Sequence, residues 1–127
     1  MIYGIGTDIV ALSRIESMLE RYGERFARRV LSVSEMAEFA KHPHPGRLLM
    51  KRFAAKEALA KAIGTGLRHP VSMSQMSVTH DALGKPGFVL FSQLSDYIEK
   101  IGITRHHLSI SDEREMCVAF VILEGGV

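Results

Sequence analysis

The sequence is short of the features that mark a secreted, disulfide-rich or membrane protein. Cys117 is its only cysteine, which excludes an intrachain disulfide framework. The longest apolar run, 117–123, is far shorter than the roughly 20 residues needed to cross a bilayer. Because no positive segment precedes an apolar core at the N-terminus, we expect no signal peptide, no membrane span and a cytoplasmic location.

A large excess of charge of one sign is also missing. The 16 lysines and arginines face 14 acids, for a net charge of +2, which argues against a general nucleic-acid binder. The positive charges are nevertheless concentrated in two regions. Residues 47–56 contain four cations and no acid, and residues 14–29 interleave five arginines with three glutamates.

The length of 127 residues, with 46% hydrophobic residues, predicts one domain over 1–127. Helical and strand patterns are mixed along the chain without a repeat. The sequence therefore predicts an α+β fold, with a small antiparallel sheet packed against helices. The predicted strands are 4–10, 76–80, 88–91 and a C-terminal hairpin of 107–111 with 116–124, and a helix is predicted over 92–102.

The first strand, GIGTDIV at 4–10, carries an acid among apolar residues. Side chains alternate along a strand, so Gly4, Gly6 and Asp8 point to the same face. Two glycines beside an acid indicate that something other than side chains approaches this backbone closely. At this point Asp8 has two interpretations, a cap for the following turn or a ligand for a bound group.

Two capping-box patterns predict helix starts, Ser13 with Glu16 and Ser32 with Glu35. The first of these helices should run toward Gly23. If its phase survives this glycine, four arginines fall on one side of it, namely Arg14, Arg21, Arg25 and Arg28. A break at Gly23 would scatter them.

The strongest helical pattern covers 48–63 and is closed by Gly64, a residue suited to the position just past a helix end. Its alanines leave the helix thin enough to approach other backbone or a ligand, although alanine is also simply a good helix former. Glu57 and Lys61 lie one turn apart on this helix and project from one face. Taken alone, they are most simply a surface ion pair.

Asp8 and Glu57 become more informative together. Mg²⁺ is typically held by one or two carboxylates together with substrate phosphates and waters, and bound phosphates need cations around them. The region 47–56 supplies such cations, namely Arg47, Lys51, Arg52 and Lys56. Spacing alone leaves open whether these residues converge.

Two motifs resemble a known family. GIGTDIV at 4–10 and RFAAKEALAKAIGTG at 52–66 are similar to motifs of the holo-acyl-carrier-protein synthases, the small, trimeric type of 4′-phosphopantetheinyl transferase. GKP at 84–86 and AFVILE at 119–124 extend the resemblance over nearly the whole chain. It implies a 4′-phosphopantetheinyl transferase-like fold. It also implies Mg²⁺-dependent transfer of phosphopantetheine from coenzyme A to a serine of apo acyl carrier protein, with release of adenosine 3′,5′-bisphosphate.

The resemblance also implies roles for particular residues. Asp8 and Glu57 match the Mg²⁺ ligands, and Lys61 is the third candidate catalytic residue, steadying phosphate. The acceptor of the serine proton stays open between metal-bound water, Glu57 and Lys61, with the water favoured. The candidates for the coenzyme A cleft are Arg52, Lys61, Gly64, Lys85, Pro86, His107 and Ser109. For His107, an ordinary partly exposed histidine is an equal alternative.

The same resemblance implies a homotrimer with coenzyme A between adjacent subunits, so that a second chain completes the site. Acyl carrier proteins are acidic around the modified serine, so Arg14, Arg21, Arg25 and Arg28 are candidates for carrier binding, Arg14 foremost. The alternative for these arginines is a solvated face.

One departure concerns Asp112. Many relatives have a histidine at this position to meet the 3′-phosphate, which an aspartate would repel. We therefore leave Asp112 outside the predicted site and expect His107, Arg105 or lysines elsewhere to hold that phosphate. Two other functions remain open: a Mg²⁺-dependent hydrolase of nucleotide pyrophosphates, and a non-catalytic adaptor for carrier proteins.

Overall fold

The computed structural model describes residues 1–126, and these form helices and antiparallel strands, as the sequence predicts. In chain order the elements are β1 (Ile2–Ala11), α1 (Leu12–Tyr22), α2 (Glu24–Val30), α3 (Val33–Lys41), α4 (Pro45–Ile63), a short 3-10 turn (Met73–Gln75), β2 (Met76–His80), β3 (Pro86–Leu90), α5 (Ser92–Lys100), β4 (Ile103–Asp112) and β5 (Met116–Gly125). Within the described range, no helix is both long and apolar enough to cross a membrane.

Two antiparallel sheets are present. β5 lies in the centre of a three-stranded sheet, between β1 and β4, and β2 pairs with β3 in a two-stranded sheet. The predicted C-terminal hairpin is therefore correct, as are the bounds of β2. β3 occupies Pro86–Leu90 rather than 88–91, a shift of the size usual at element ends.

The glycines of β1 let helix α4 lie directly against the three-stranded sheet. A Cβ atom on Gly6 would overlap the carbonyl oxygen of Ala58, and one on Gly4 would overlap that of Ala62. The expected close approach to this backbone is thus made by another backbone, that of α4. This contact also turns Asp8, on the same face of β1, toward α4.

Helix α4 forms the centre of the core. Most of its residues are buried, including Leu49, Met50 and Leu59, each with no exposed surface or almost none. It begins three residues before the predicted start, because Pro45 occupies the first turn, where proline is well suited. Gly64 ends it in the left-handed conformation, as predicted.

The two predicted capping boxes have different outcomes. Ser32 and Glu35 form the box at the start of α3, with both reciprocal hydrogen bonds present. The prediction for Ser13 is wrong, because α1 starts at Leu12 and no side chain caps it. β1 continues into α1 without a loop, and the Leu12 N–H donates instead to the carbonyl of Glu115, at 2.8 Å.

The face of the three-stranded sheet that points away from α4 is apolar and exposed. Ile5 on β1 is 65% exposed and Phe120 on β5 is 53% exposed, with Ile9 and Ile122 beside them. Such a contiguous apolar surface is typical of a face that contacts a partner.

Candidate active site

Asp8 and Lys61 meet where β1 contacts α4. The Lys61 ammonium donates to Asp8 Oδ1 and to the Thr7 carbonyl, both at 3.1 Å. The Asp8 side chain is only 13% exposed. Its second oxygen, Oδ2, is buried and has no hydrogen-bond partner in the described part of the chain. A buried carboxylate oxygen without a partner is costly unless a ligand satisfies it.

Glu57 lies on α4 one turn before Lys61 and faces the same place. Burial raises the pKa of Glu57, and the negative charge of Asp8 raises it further, whereas Lys61 and Arg14 act in the opposite direction. All three charges therefore act on this carboxyl group. Lys61 pairs with Asp8 instead of Glu57, so the simple surface pair expected for Glu57 and Lys61 is not what forms.

The carboxylates Asp8 and Glu57 fit a hard cation that brings further ligands of its own. Among residues 1–126, no group of three or more His, Cys, Asp or Glu side chains could hold a metal ion by itself. Mg²⁺ needs only one or two protein carboxylates when phosphates and waters fill its other positions. The unpartnered Asp8 Oδ2 is the observation that favours such an ion here.

A second depression, the β4-side cleft, lies on the opposite flank of α4. Its volume is about 270 Å³, and it is lined by Glu38, His42, Leu48, Lys51, Arg52, His80, Gly84, Pro86, Ile110 and Asp112. Arg52 and Glu57 are five residues apart, which places them about 140° apart around the helix. Asp8 is on β1, whereas Ile110 and Asp112 are on β4, with β5 between the two strands. The cleft and the acid pair therefore do not form one pocket within a chain.

Several of the predicted coenzyme A residues are at this cleft. Pro86 lines it directly, and Lys85 precedes it in a turn that is held by hydrogen bonds from the backbone N–H groups of Lys85 and Leu83 to Asp81. Arg52 is almost completely buried, and its Nη2 lies 3.3 Å from Glu38. Gly64 instead follows the last turn of α4, on the side of Lys61.

The charge of Asp112, the departure from the family pattern, is compensated. Its Oδ2 accepts a hydrogen bond from Arg47 Nη2 at 2.8 Å, and Arg47 also donates to the carbonyls of Glu113 and Arg114. Asp112 therefore lines the cleft as half of an ion pair, and it positions Arg47 rather than acting as a free negative charge.

His107 and Ser109 lie elsewhere, on the exposed apolar face of the sheet. In the strand register Ser109 is opposite Phe120 and His107 is opposite Ile122. His107 Nε2 is 2.6 Å from Glu124, which also pairs with Arg105. The structure therefore places these residues away from Asp8 of the same chain.

Gly23 breaks the helix that was to carry the four arginines. Its φ of 59° ends α1 and starts α2, so the arginines do not share one helical phase. Arg14, whose guanidinium lies 5.3 Å from the ring centre of Phe53, and Arg28 line the same depression. This depression, the arginine groove, has a volume of about 570 Å³ and is lined by Arg14, Met18, Phe26, Arg28, Arg29, Val30, Phe53, Leu67, Val71, Ser72, Met73 and Ser74.

The other two arginines lie close by. Arg25 lines a smaller depression that shares Met18, Phe26 and Arg29 with the arginine groove. Arg21 stacks on Tyr22, which also lines the smaller depression. The continuous stripe is absent, but the cations still surround one cationic and partly apolar surface.

Lys56 corrects the predicted phosphate-binding cluster. It has no exposed surface, and its ammonium donates to Glu35 Oε1 and to the carbonyls of Val30 and Met73. Burial lowers the pKa of Lys56 to about 8, although Glu35 offsets part of this effect. It is therefore a core residue that no incoming phosphate reaches. The sequence gives no sign of this pair, because its partners lie 21 residues apart.

His80 is a further residue of the β4-side cleft. It ends β2 and lines the β4-side cleft beside Lys51 and Arg52. Burial and these two cations lower the pKa of His80. No local pattern marks it, because the cleft forms only when β2, α4 and β4 pack together.

A family model described as the 4′-phosphopantetheinyl transferase superfamily matches residues 4–120. The chain belongs to this superfamily. The match covers the acid pair, the β4-side cleft and the arginine groove. The fold class and enzyme class predicted from the two motifs are confirmed.

Individual relatives agree with this assignment. The chain is 63% identical to the holo-[acyl-carrier-protein] synthase of Nitrosospira multiformis, over 98% of this chain and 99% of that protein. The crystal structure of the holo-[acyl-carrier-protein] synthase from Neisseria meningitidis is 51% identical, with a TM-score of 0.95 over 98% of this chain and 99% of that one. A Bacillus anthracis holo-(acyl-carrier-protein) synthase in complex with CoA (3′,5′-ADP) is 38% identical, with a TM-score of 0.81 over 99% of each chain.

Proposed function

We propose that this chain transfers 4′-phosphopantetheine from coenzyme A to a serine hydroxyl of apo acyl carrier protein in a Mg²⁺-dependent reaction. The products are holo carrier protein and adenosine 3′,5′-bisphosphate. The observation that carries the proposal is the convergence of Asp8 and Glu57 beside Lys61, with one buried Asp8 oxygen lacking a partner. The similarity to holo-acyl-carrier-protein synthases supplies the substrates.

Asp8 and Glu57 are the residues that would hold Mg²⁺. When bound, the ion supplies charge neutralisation at the pyrophosphate of coenzyme A, which is where phosphoryl transfer needs it. Lys61 is held by Thr7 and Asp8, with half of its side chain exposed, so its ammonium can donate to a phosphate oxygen of the donor. The three residues together orient the pyrophosphate for attack by the serine.

The divided site supports an assembly in which two subunits bind one donor. The acid pair and the β4-side cleft lie on different sides of α4, which favours a donor site that a second chain completes. The exposed apolar face of the sheet, with Ile5 and Phe120, offers a surface for that contact. We propose a homotrimer in which Arg52, Lys85 and Pro86 bind the nucleotide end, and in which the remaining predicted coenzyme A residues, Gly64, His107 and Ser109, lie at the subunit boundary.

The arginine groove suits an acidic carrier protein. Arg14 and Arg28 provide positive charge, while Phe26 and Phe53 provide apolar surface between them. Arg14 also acts on the charge of Glu57, so the groove adjoins the acid pair. A carrier bound there would bring its serine toward the transferred phosphoryl group, with Arg21 and Arg25 steering it from the adjoining surface. We further propose that one domain over 1–127 does this in the cytoplasm.

Incubation with apo carrier protein and coenzyme A, with Mg²⁺ or with EDTA, tests the proposal by intact mass spectrometry. We expect the carrier to gain the mass of phosphopantetheine only when Mg²⁺ is present. Cleavage of coenzyme A without any change in the carrier would identify a pyrophosphate hydrolase instead. If the wild-type chain binds the carrier but transfers nothing to it, and Asp8→Ala binds the carrier equally well, the chain is an adaptor.

A further inference from the structure

The arginine groove has two walls that come from separate parts of the chain. Helices α1 and α2 form one wall, which ends at Val30, the last residue of α2. The other wall is a segment of irregular chain, 67–74, which includes Met73 in the short 3-10 turn. Phe53 on α4 also lines the groove, and the Arg14 guanidinium lies over its ring.

Buried Lys56 connects these two walls. It follows Phe53 by three residues on α4, so both side chains leave the helix on neighbouring faces. Its ammonium donates to the Val30 carbonyl at 2.6 Å and to the Met73 carbonyl at 3.0 Å. The two acceptors belong to residues that line opposite walls of the groove. One buried side chain is therefore hydrogen-bonded to both walls.

Glu35 holds the ammonium of Lys56 in place. Its Oε1 accepts from Lys56 and from the backbone N–H of Ser32, while Oε2 accepts from the backbone N–H of Val78 at 2.8 Å. Arg52 lies 3.4 Å from the same Oε2. The backbone N–H groups of Ser32, just before α3, and of Val78, on β2, thus fix the carboxylate that holds Lys56.

We propose that Lys56 is a positioning residue for carrier-protein binding, since its contacts with Val30 and Met73 fix the width of the arginine groove. The inference deepens the proposed function and rests on it, because it assigns the groove to the acidic carrier. Lys56 acts through the groove walls and touches neither substrate. A lysine that only stabilised the core would affect both substrates equally.

The test is Lys56→Met, with initial rates measured while carrier protein and coenzyme A are varied separately. We expect the KM for the carrier to rise by about tenfold, since a displacement of about 1 Å can cost up to about 10²-fold and the groove walls keep their other contacts. The KM for coenzyme A should rise much less than the carrier KM, because none of the residues that line the groove is among those proposed to bind the donor. Glu35→Gln, which keeps the side-chain size, should raise the carrier KM in the same direction but less.

A matched control separates positioning from loss of stability. Leu123→Ala removes a buried side chain of β5, outside the groove, and should lower the melting temperature of the protein. If Leu123→Ala raises the carrier KM as much as Lys56→Met does, the proposal is overturned. In the double variant Lys56→Met with Glu35→Gln, Arg52 keeps its pair with Glu38, and the carrier KM should stay high because the hydrogen bonds to Val30 and Met73 are still missing.

A carrier KM that is unchanged in folded Lys56→Met, or that recovers in the double variant, overturns the positioning role. Absence of transfer by the wild-type chain is a different result, because it rejects the proposed function itself. If the wild type transfers phosphopantetheine but Arg14→Glu has an unchanged carrier KM, the carrier binds outside the groove. This result would also overturn the inference.

Discussion

Helix α4 carries two lysine–carboxylate pairs, and they differ in how completely their polar atoms are satisfied. Lys56 has no exposed surface, its partner Glu35 is 3% exposed, and both carboxylate oxygens of Glu35 accept hydrogen bonds. Lys61 is half exposed, and the Oδ2 of its partner Asp8 accepts no hydrogen bond from residues 1–126. The two lysines are five residues apart on the same helix.

We interpret the first pair as structural and the second as part of the proposed active site. Where every donor and acceptor is used within the chain, as at Glu35, no group remains to meet a ligand. Where a second carboxylate, Glu57, lies beside an unsatisfied Asp8, the negative charges repel one another until a cation or a proton intervenes. Substitutions at Glu35 and at Asp8 should therefore have opposite effects on stability and on activity.

Among these substitutions, Glu35→Ala should lower the stability of the protein most, because it removes the partner of Lys56. It leaves the Lys56 ammonium buried without a counter-charge, which we expect to lower the free energy of unfolding by about 3–5 kcal/mol. Urea denaturation followed by circular dichroism measures this change. Glu99→Ala, at an exposed position of α5, serves as the control and should have little effect. Equal stabilities for the two variants would show that the buried pair is not structural.

Asp8→Asn should have the opposite profile, with loss of activity and little loss of stability. We expect transfer to fall about 10²–10³-fold, the usual effect of removing one group that stabilises charge in the transition state. The free energy of unfolding should change by no more than about 1 kcal/mol, because the pair with Lys61 is partly exposed. Intact-mass kinetics measure the first quantity and urea denaturation the second.

The control for Asp8→Asn is Asp96→Asn, an isosteric change at an exposed position of α5. It should retain wild-type transfer. If Asp8→Asn also transfers phosphopantetheine at the wild-type rate, Asp8 is not part of the active site, and the distinction between the two pairs on α4 fails.

The contact that brings Asp8 to α4 is tested by Gly6→Ala. A new methyl group would overlap the carbonyl oxygen of Ala58, so the strand and helix must separate. Overpacking of this kind lowers the free energy of unfolding by about 1–3 kcal/mol. We expect the loss in Gly6→Ala to reach or exceed the upper value of this range. Gly87→Ala is the matched control, because its Cβ would meet only Thr79 Oγ1, at 3.8 Å. Comparable thermal unfolding of the two variants would contradict the tight strand–helix contact.

Local patterns in the sequence predict most helices and strands. They do not predict the buried pair of Lys56 and Glu35. Ser32 with Glu35 and the final Gly64 of α4 are signals that lie within a few residues of the structure they specify. The same kind of pattern failed at Ser13, because the hydrogen bond of Leu12 to a distant strand fixed the helix start. Long-range hydrogen bonding overrides a local preference in such cases.

The site shows the same limit. Spacing places Glu57 and Lys61 on one face, but only the resemblance to the transferases joins them to Asp8, 49 positions earlier than Glu57. The role of Lys56 could not be predicted, since a lysine beside Arg52 resembles part of a phosphate site. Its burial follows from the packing of α2, α3 and the 3-10 turn around α4.

Charge reversal at Arg14 tests whether the arginine groove, next to the acid pair, attracts the carrier protein. Arg14→Glu should raise the KM for the acidic carrier about tenfold at low salt, and the difference should shrink as salt screens the charges. Lys100→Glu changes the net charge equally at an exposed site outside the groove and should raise this KM much less. Equal effects of the two reversals would show that overall charge, and not the arginine groove, attracts the carrier.

The smallest expected effect concerns a third pair, Glu124 with His107, on the exposed face of the sheet. The hydrogen bond from His107 lowers the pKa of Glu124 below its ordinary value of 4.5. A carboxyl group of this kind stabilises the folded state above its ordinary pKa, and the contribution is lost as the pH falls through the lowered pKa. The melting temperature of the wild type should therefore exceed that of Glu124→Gln slightly at pH 6, and the gap should close below about pH 4.5. A gap that stays constant with pH, at fixed protein concentration, would show that this open pair adds nothing to stability.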